Sequence, residues 1–217
     1  MGNGRPTPPV ATRLLLVRHG ETNHNAQRRR VGWTDSPLSS EGERQAARLA
    51  EHLAVTERID VVYASTLQRA VRTAEAVAAR LGLAVRPDPD LREWHLGECE
   101  GTTDAEVEAR YPGLLARGRD STDLSWGWPG DEDRRCFYAR ARRAVDAIAA
   151  AHLGQSVLVV AHNALISSWM AQAIEGDAFA WAAYLLDNCG TAEVLVDPLT
   201  RTARLVTGPS PCPSTSP

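Results

Sequence analysis

The sequence predicts an α/β fold: a three-layer sandwich with a mainly parallel central sheet and helices on both faces. Two observations carry this. Apolar runs that read as buried strands alternate along the chain with segments of helical period, and such alternation builds parallel sheets. The chain, at 217 residues with 43% hydrophobic and 24% charged, is an ordinary globular composition long enough to bury a core.

In chain order, residues 13–18 (RLLLVR) form the first strand. Ser40 and Glu43 have capping-box spacing, and Ala46, Ala47, Ala50, Leu53 and Ala54 then recur on one helical face. Residues 60–64 (DVVYA) form a second strand. Leu67, Ala70, Val71, Ala74, Val77 and Leu81 mark a second helix. The segment 112–130, rich in Gly, Pro and Trp and without a period, reads as a long functional loop. Residues 131–152 read as a long arginine-rich helix with Phe137, Ala141, Ala144, Ile148 and Ala151 inward. Another strand, 156–161 (SVLVVA), precedes a helix presenting Leu165, Ile166, Trp169, Met170 and Ala173. Two strands near 191–196 and 202–206 close the domain. One domain is thus expected over 12–207, between disordered tails at 1–11 and 208–217.

Composition excludes several functions. The net charge of −3 gives no reason to expect nucleic acid or an acidic membrane as partner. No apolar stretch reaches the roughly 18 residues of a membrane span. The first residues lack the apolar core of a signal peptide, and Pro6 stands where a myristoylation signal prefers Ser or Thr. Cys99, Cys136, Cys189 and Cys212 are far apart in sequence and read as reduced thiols of a cytoplasmic protein. All 24 basic residues are arginine, so neither a P-loop lysine nor a Schiff-base lysine exists.

Three strands end in polar clusters: Arg18-His19, Ser65 to Arg69, and His162-Asn163. In an open α/β sheet ligands bind beyond the carboxyl ends of the strands, so these clusters converge on one edge. Two arginines and two histidines there suit a phosphate. Arginine presents a fixed fork of donors, helix N-termini behind Ser65 and His162 add a favourable dipole, and neutral histidine can attack phosphorus.

The segment RHGETNHN (18–25) resembles the signature of the histidine phosphatase superfamily, with its phosphoglycerate mutase-like fold. GWTDSPLSSEGERQA (32–46), YASTLQRAVRTAE (63–75), LREWHLGECEG (91–101), WPGDED (128–133), VVAHNAL (159–165) and DNCGTAEVLV (187–196) follow in the family's order. The resemblance implies that His19 becomes phosphorylated, and that Arg18, Arg69 and His162 clamp the phosphoryl group. It implies that Asn25 adds a hydrogen bond and that Glu93 is the general acid and then the base. Arg29 matches a phosphate-side arginine; Gly32, Trp94 and Asn163 complete the expected substrate-binding set. Asn163 departs from the pattern, since the family usually has glycine there. No cofactor or metal is implied.

Three rival chemistries are weaker in the same string. Cys136 and Arg142 have the C-x₅-R spacing of cysteine phosphatases, yet FYARA between them has no glycine and a helical pattern. Asp88-Pro-Asp90 mimics an aspartyl-phosphate motif without its lysine. Histidines 19, 24, 95 and 162 lack the helical spacing of the common zinc motif. The resemblance therefore implies a metal-independent phosphomonoesterase acting on a small sugar-like or larger metabolite, with room for a homodimer. The alternatives are a mutase-type phosphotransferase and an inactive phospho-ligand binding module. The mutase branch carries an arginine, a tyrosine and a lysine where this chain has Trp94, Leu96 and Asp104, which favours hydrolysis of a bulkier, less acidic ester. Trp126 and Trp128 add flat apolar surface.

Overall fold

The computed structural model describes residues 11–120, 122–197 and 202–213. Six strands form one sheet: β1 (Thr12–Arg18), β2 (Val61–Ser65), β3 (Val85–Asp88), β4 (Ser156–Ala161), β5 (Thr191–Asp197) and β6 (Thr202–Ser210). The order is β3-β2-β4-β1-β5-β6. The first four are parallel where they pair; β5 runs antiparallel to β1, and β6 antiparallel to β5. The helices are α1 (Asn23–Ala26), α2 (Ser40–Thr56), α3 (Gln68–Leu81), α4 (Asp104–Arg110), α5 (Leu114–Asp120), α6 (Arg134–Ala151) and α7 (Asn163–Met170).

Strand alternation makes two cores. Leu14 and Leu16 of β1, with Val157, Val159 and Ala161 of β4, pack under α6 and α7. Leu15 and Val17, with Leu158 and Val160, pack under α2 and α3. Successive strand side chains point to opposite faces, so a run buried on both faces reads as continuously apolar. The expected sandwich is the one observed.

Several details differ. The cap of α2 is Ser39, whose side chain accepts from Gly42 N, and Ser40 is already helical. The buried face of α2 carries Leu49 with Ala46, Ala50 and Leu53, while Ala47 and Ala54 are exposed. Arg48 lies between them in sequence, and an alanine-rich helix gives little contrast for phasing its inner face. Ala151, expected inward, is exposed at the end of α6. The short β3, with exposed residues and Pro87, escaped the apolar-run criterion. The segment 112–130 is not all loop: α5 lies inside it, behind Gly113 at φ 75°.

The C-terminal tail expected from 208 onward starts later, because β6 continues through Gly208 and Pro209 to Ser210, which pairs with Thr191. Pro209 is tolerated because β6 is an edge strand. Beyond it, Arg48 Nε donates to Pro213 O at 3.3 Å. The tail expectations for residues 1–10 and 214–217 lie outside the described residues.

Candidate active site

Parallel register brings the three polar clusters together. Arg18 is level with Ala161, and Ala64 with Val160, so His19, His162 and Ser65 leave neighbouring strands side by side. The His19 and His162 ring centroids are 5.1 Å apart. Gly20 follows His19 because α2 presses its backbone there: a Cβ would stand 2.7 Å from Gly42 O.

His19 is 4% exposed. Its Nδ1 is 2.7 Å from Gly20 O, and a carbonyl can only accept, so the proton sits on Nδ1 and Nε2 keeps its lone pair. Arg69 Nε donates toward that Nε2 at 3.3 Å. Burial, reinforced by the cationic Arg69 and Arg18, holds the His19 pKa well below its ordinary value. The ring is neutral at physiological pH.

Arg69 is fully buried on α3, where a surface helix arginine would be solvated. Its Nη1 donates to Thr34 O at 3.0 Å and its Nη2 to Gly32 O at 2.5 Å. Burial lowers it to about 10, which leaves it charged. Gly32 thus holds Arg69 through its carbonyl. A Cβ there would lie 2.6 Å from Trp94 O, so the glycine permits close approach. Arg18 donates from Nη1 to Leu186 O at 2.8 Å, and burial lowers its pKa. His162, fully buried, pairs Nε2 with Ser65 Oγ at 2.8 Å, and its Nδ1 has no partner. Burial holds its pKa well below the ordinary value.

Glu93 stands at the N-terminus of α7. Its Oε1 accepts from Trp94 N (2.9 Å) and Leu165 N (3.2 Å), and its Oε2 from Ala164 N (3.0 Å). The dipole expected to serve phosphate behind His162 is therefore occupied by this carboxyl group. At α3, Asp35 Oδ1 likewise accepts from Gln68 N at 3.0 Å. Burial nonetheless raises the Glu93 pKa, against the backbone donors and then Arg69 and Arg18. A carboxyl group placed in this way keeps its proton to higher pH than a solvated one.

The remaining expected residues have other partners. Asn163 Oδ1 accepts from Leu186 N at 2.8 Å, so its side chain braces the loop whose Leu186 carbonyl holds Arg18. Asn25 closes the capping box of α1 with Thr22. Arg29 donates to Gly101 O (2.8 Å) and to Glu106 (3.0 Å). Both line a pocket that also takes in Arg18, Glu93 and Trp94 and has a volume of about 450 Å³. Trp94 is stacked on Phe137 at 4.9 Å and 6°, with Trp126 and Trp128 edge-on to it. Trp126 and Trp128 line the pocket, and their indole N–H groups are buried without a partner among the described residues. Of the mutase-branch positions, Trp94 and Leu96 form pocket wall, while Asp104 pairs with Arg30 at 2.7 Å. His95 is bound to Asp131 at 2.6 Å, and Cys136 with Arg142 lies within α6, where no phosphate-wrapping loop can form.

Sequence reasoning missed the supports. Thr73 Oγ1 accepts from Gly20 N (3.0 Å) and donates to Arg69 O (2.7 Å). Arg140 of α6 donates to Glu93 O at 3.1 Å. Asn188 Nδ2 donates to His19 O at 3.0 Å. Thr73 and Asn188 lay inside the blocks 63–75 and 187–196 without a mark of their own, and Arg140 lay in none.

Comparison with known proteins agrees with this geometry. The family model for the histidine phosphatase superfamily (branch 1) matches residues 14–207. The chain is 35% identical to glucosyl-3-phosphoglycerate phosphatase of Mycobacterium tuberculosis over 181 residues, 80% of each chain. It is 37% identical to phosphoglycerate mutase-like protein 4 of Arabidopsis thaliana over 159 residues, covering 71% of this chain and 68% of that one. The native structure of a mycobacterial glucosyl-3-phosphoglycerate phosphatase superposes with a TM-score of 0.82 at 31% identity, over 92% of this chain and 99% of the other.

Proposed function

The chain belongs to the histidine phosphatase superfamily, branch 1, and from that premise we propose how its residues divide the hydrolysis of a phosphomonoester. As a histidine-type phosphatase it works through a phosphohistidine on a small organic phosphate.

His19 Nε2 attacks phosphorus and forms the N–P bond. The proton on Nδ1, held against Gly20 O, keeps the reactive lone pair on the other nitrogen. Glu93 gives its proton to the departing ester oxygen, which an alkoxide requires near neutral pH. Its carboxylate then takes a proton from the water that attacks phosphohistidine, so His19 is regenerated and phosphate leaves. Arg18, Arg69 and His162 carry the charge developing on the phosphoryl oxygens, in a site already ordered before substrate arrives. Asn25 and Arg29 flank the phosphate from the α1 side, and Asn163 acts by bracing the Arg18 loop. The observation that carries this reading is the pairing of a neutral, lone-pair-bearing His19 with a buried Glu93 whose pKa is raised.

The organic part of the ester lies against Trp94, Trp126 and Trp128. Their apolar surface in the pocket suits a sugar ring. The similarity to a protein named glucosyl-3-phosphoglycerate phosphatase supports a sugar-bearing ester. The wide spacing of the four cysteines in sequence, with no C-x-x-C, supports a cytoplasmic setting.

Rapid alkaline quenching with a ³²P-labelled substrate tests the scheme. Label is expected on His19, absent from His19→Ala, and turnover should survive exhaustive EDTA treatment. Label on Cys136 or Asp88, or a loss restored by zinc, would sink it. A screen of sugar phosphates beside 2- and 3-phosphoglycerate then ranks substrates. Efficient interconversion of the phosphoglycerates would replace the hydrolase by a mutase.

A further inference from the structure

We propose that Cys189 and Cys212 are a redox modification site: a peroxide joins them as a reversible disulfide that fastens the C-terminal segment to the backbone carrying Arg18 and His19.

The geometry comes from sheet register. β5 and β6 run antiparallel, with Thr191 opposite Ser210. Just outside that pair, Cys189 in the turn before β5 is buried in the core under α2 and α3, and Cys212 after β6 packs against the same core. Nothing intervenes at Gly190, where the backbones come so close that a Cβ would stand 2.9 Å from Ser210 O. A disulfide spans Cα atoms about 4.4–6.8 Å apart, and Cys189 and Cys212 each stand two residues from the paired Thr191 and Ser210. The two thiols are close enough to interact electrostatically, and the Cys212 thiol also lies 3.7 Å from Pro213 O and 4.0 Å from Gln45 O. In sequence these cysteines are remote; β6 and the residues after it bring them together.

The pair is chemically unequal. Cys212 is half-buried, and the neighbouring Cys189 thiol and then the Arg48 guanidinium lower its pKa, against burial. Cys189 is fully buried, and its pKa is raised by the neighbouring Cys212 and by burial. The more exposed sulfur is therefore the thiolate that meets an oxidant, and the buried one is placed to resolve it. Of the other thiols, Cys136 is exposed but raised by Asp133, and Cys99 is buried and raised by burial.

With hydrogen peroxide as oxidant, the Cys212 thiolate attacks one oxygen and the O–O bond breaks. This leaves a sulfenic acid on Cys212 and releases hydroxide. The hydroxide takes the proton of the Cys189 thiol, forming water, and the Cys189 sulfur attacks the sulfenyl sulfur. The S–O bond breaks, and the departing hydroxide takes a proton from solvent to become a second water. Two thiols are oxidised to one disulfide, and one peroxide is reduced to two waters.

The bond would act on the site's frame. Cys189 holds φ 55°, and its N–H points between Arg18 O (3.0 Å) and His19 O (3.3 Å). Its neighbour Asn188 holds His19 O through its amide. A staple at Cys189 ties this frame to the end of the chain and closes a loop of about 24 residues.

The test uses the full chain carrying Cys136→Ser, to remove the exposed thiol. The protein is treated with equimolar hydrogen peroxide, alkylated, and mapped without reduction. A species lighter by two hydrogens is expected, with the peptides of Cys189 and Cys212 joined. Its Tm should rise by about 5 °C, and dithiothreitol should return both changes. Adding Cys212→Ser should abolish the cross-link and the Tm shift while leaving kcat and KM of the reduced enzyme unchanged. Cysteines 189 and 212 that both remain alkylatable after peroxide, Cys212 driven to sulfinic acid without a cross-link, or a bridge to Cys99 or to a second chain would overturn the proposal.

Discussion

The inner ring of reactive side chains and the pocket wall beside it are built by different rules. In the inner ring, His19, Arg69, His162 and Glu93 are at most 9% exposed. Each is held by a hydrogen bond from another part of the chain: Gly20 and Arg69 for His19, Gly32 and Thr34 for Arg69, Ser65 for His162, the α7 amides for Glu93. In the pocket wall, Trp126 and Trp128 sit half-buried between α5 and α6 with indole N–H groups unpartnered among the described residues, and Arg119 is exposed at the pocket edge. The contrast separates two tasks. Phosphoryl chemistry tolerates little displacement, so its groups rise from strand ends and are fixed by backbone. Choice of the organic group belongs to a wall that can change without moving the phosphate.

Glu93→Gln should give the largest break between the regions. An alkyl phosphate needs a proton on its leaving oxygen, so kcat/KM should fall about 10²–10⁴-fold, while p-nitrophenyl phosphate, with its good leaving group, should lose much less. Equal losses on both would reduce Glu93 to an organiser of α7. The Tm of the same variant at neutral pH should change little, because relief of a buried charge is offset by an amide NH2 turned toward a backbone donor, Ala164 N or the pair Trp94 N and Leu165 N. A carboxyl group with a raised folded pKa contributes stability below its unfolded value near 4.5, and that contribution is lost as pH rises through the folded value.

The histidines of the inner ring set the response of stability to acid. Both His19 and His162 have folded pKa values below 6.5, so under about pH 6.5 the unfolded chain binds protons that the folded chain refuses. Stability should then decline with falling pH by up to about 1.4 kcal/mol per pH unit for each ring, until the folded values are reached. Urea denaturation at pH 7.5, 6.5 and 5.5 measures the slope. His19→Gln should flatten it by about half; an unchanged slope would place the sensitivity elsewhere.

A smaller effect is expected from the wall. Trp126→Ala should raise KM for a sugar phosphate about tenfold with kcat nearly unchanged, and hardly affect methyl phosphate, as lost ground-state binding would. Trp94 is a poorer probe, because its stack on Phe137 ties it to the core. A drop in kcat for both esters would show that wall and ring are one unit. Smallest of all, Asn163→Ala should cost about three-fold in kcat/KM through a looser Leu186 and Arg18, with similar loss on every ester. Selective loss on one ester would move Asn163 into the wall.

The inner ring was far more legible in the sequence than the wall or the supports. Strand ends announce themselves, because an apolar run stops at Arg18-His19, at Ser65 and at His162, and parallel strands must deliver those ends to one edge. The docking of Glu93 on Ala164 and Leu165 left no trace, since backbone amides look alike in every sequence. Thr73 and Arg140 read as ordinary helix residues for the same reason: their partners are carbonyls and amides far along the chain. Helix α5 hid because Gly113 precedes it and Gly118 lies inside it, and the low helical propensity of glycine broke the period. Asn163 was noticed as a departure, yet its partner Leu186 is fixed by the tertiary fold, which one sequence does not display.

The strand order carries a consequence for how the molecule comes to be folded. β4 lies between β1 and β2, so the strand bearing His19 touches the one leading to Ser65 and Arg69 only through residues made some ninety positions later than β2. A nascent chain that has completed β1, β2 and their helices still has a gap in the middle of its sheet. Such late insertion is slow relative to local pairing, because a long loop must close before any contact rewards it. Phosphatase activity should thus be among the last properties acquired during synthesis or refolding. Its appearance reports that the central strand has gone in, where helical signal alone would report only that α2 and α3 have formed.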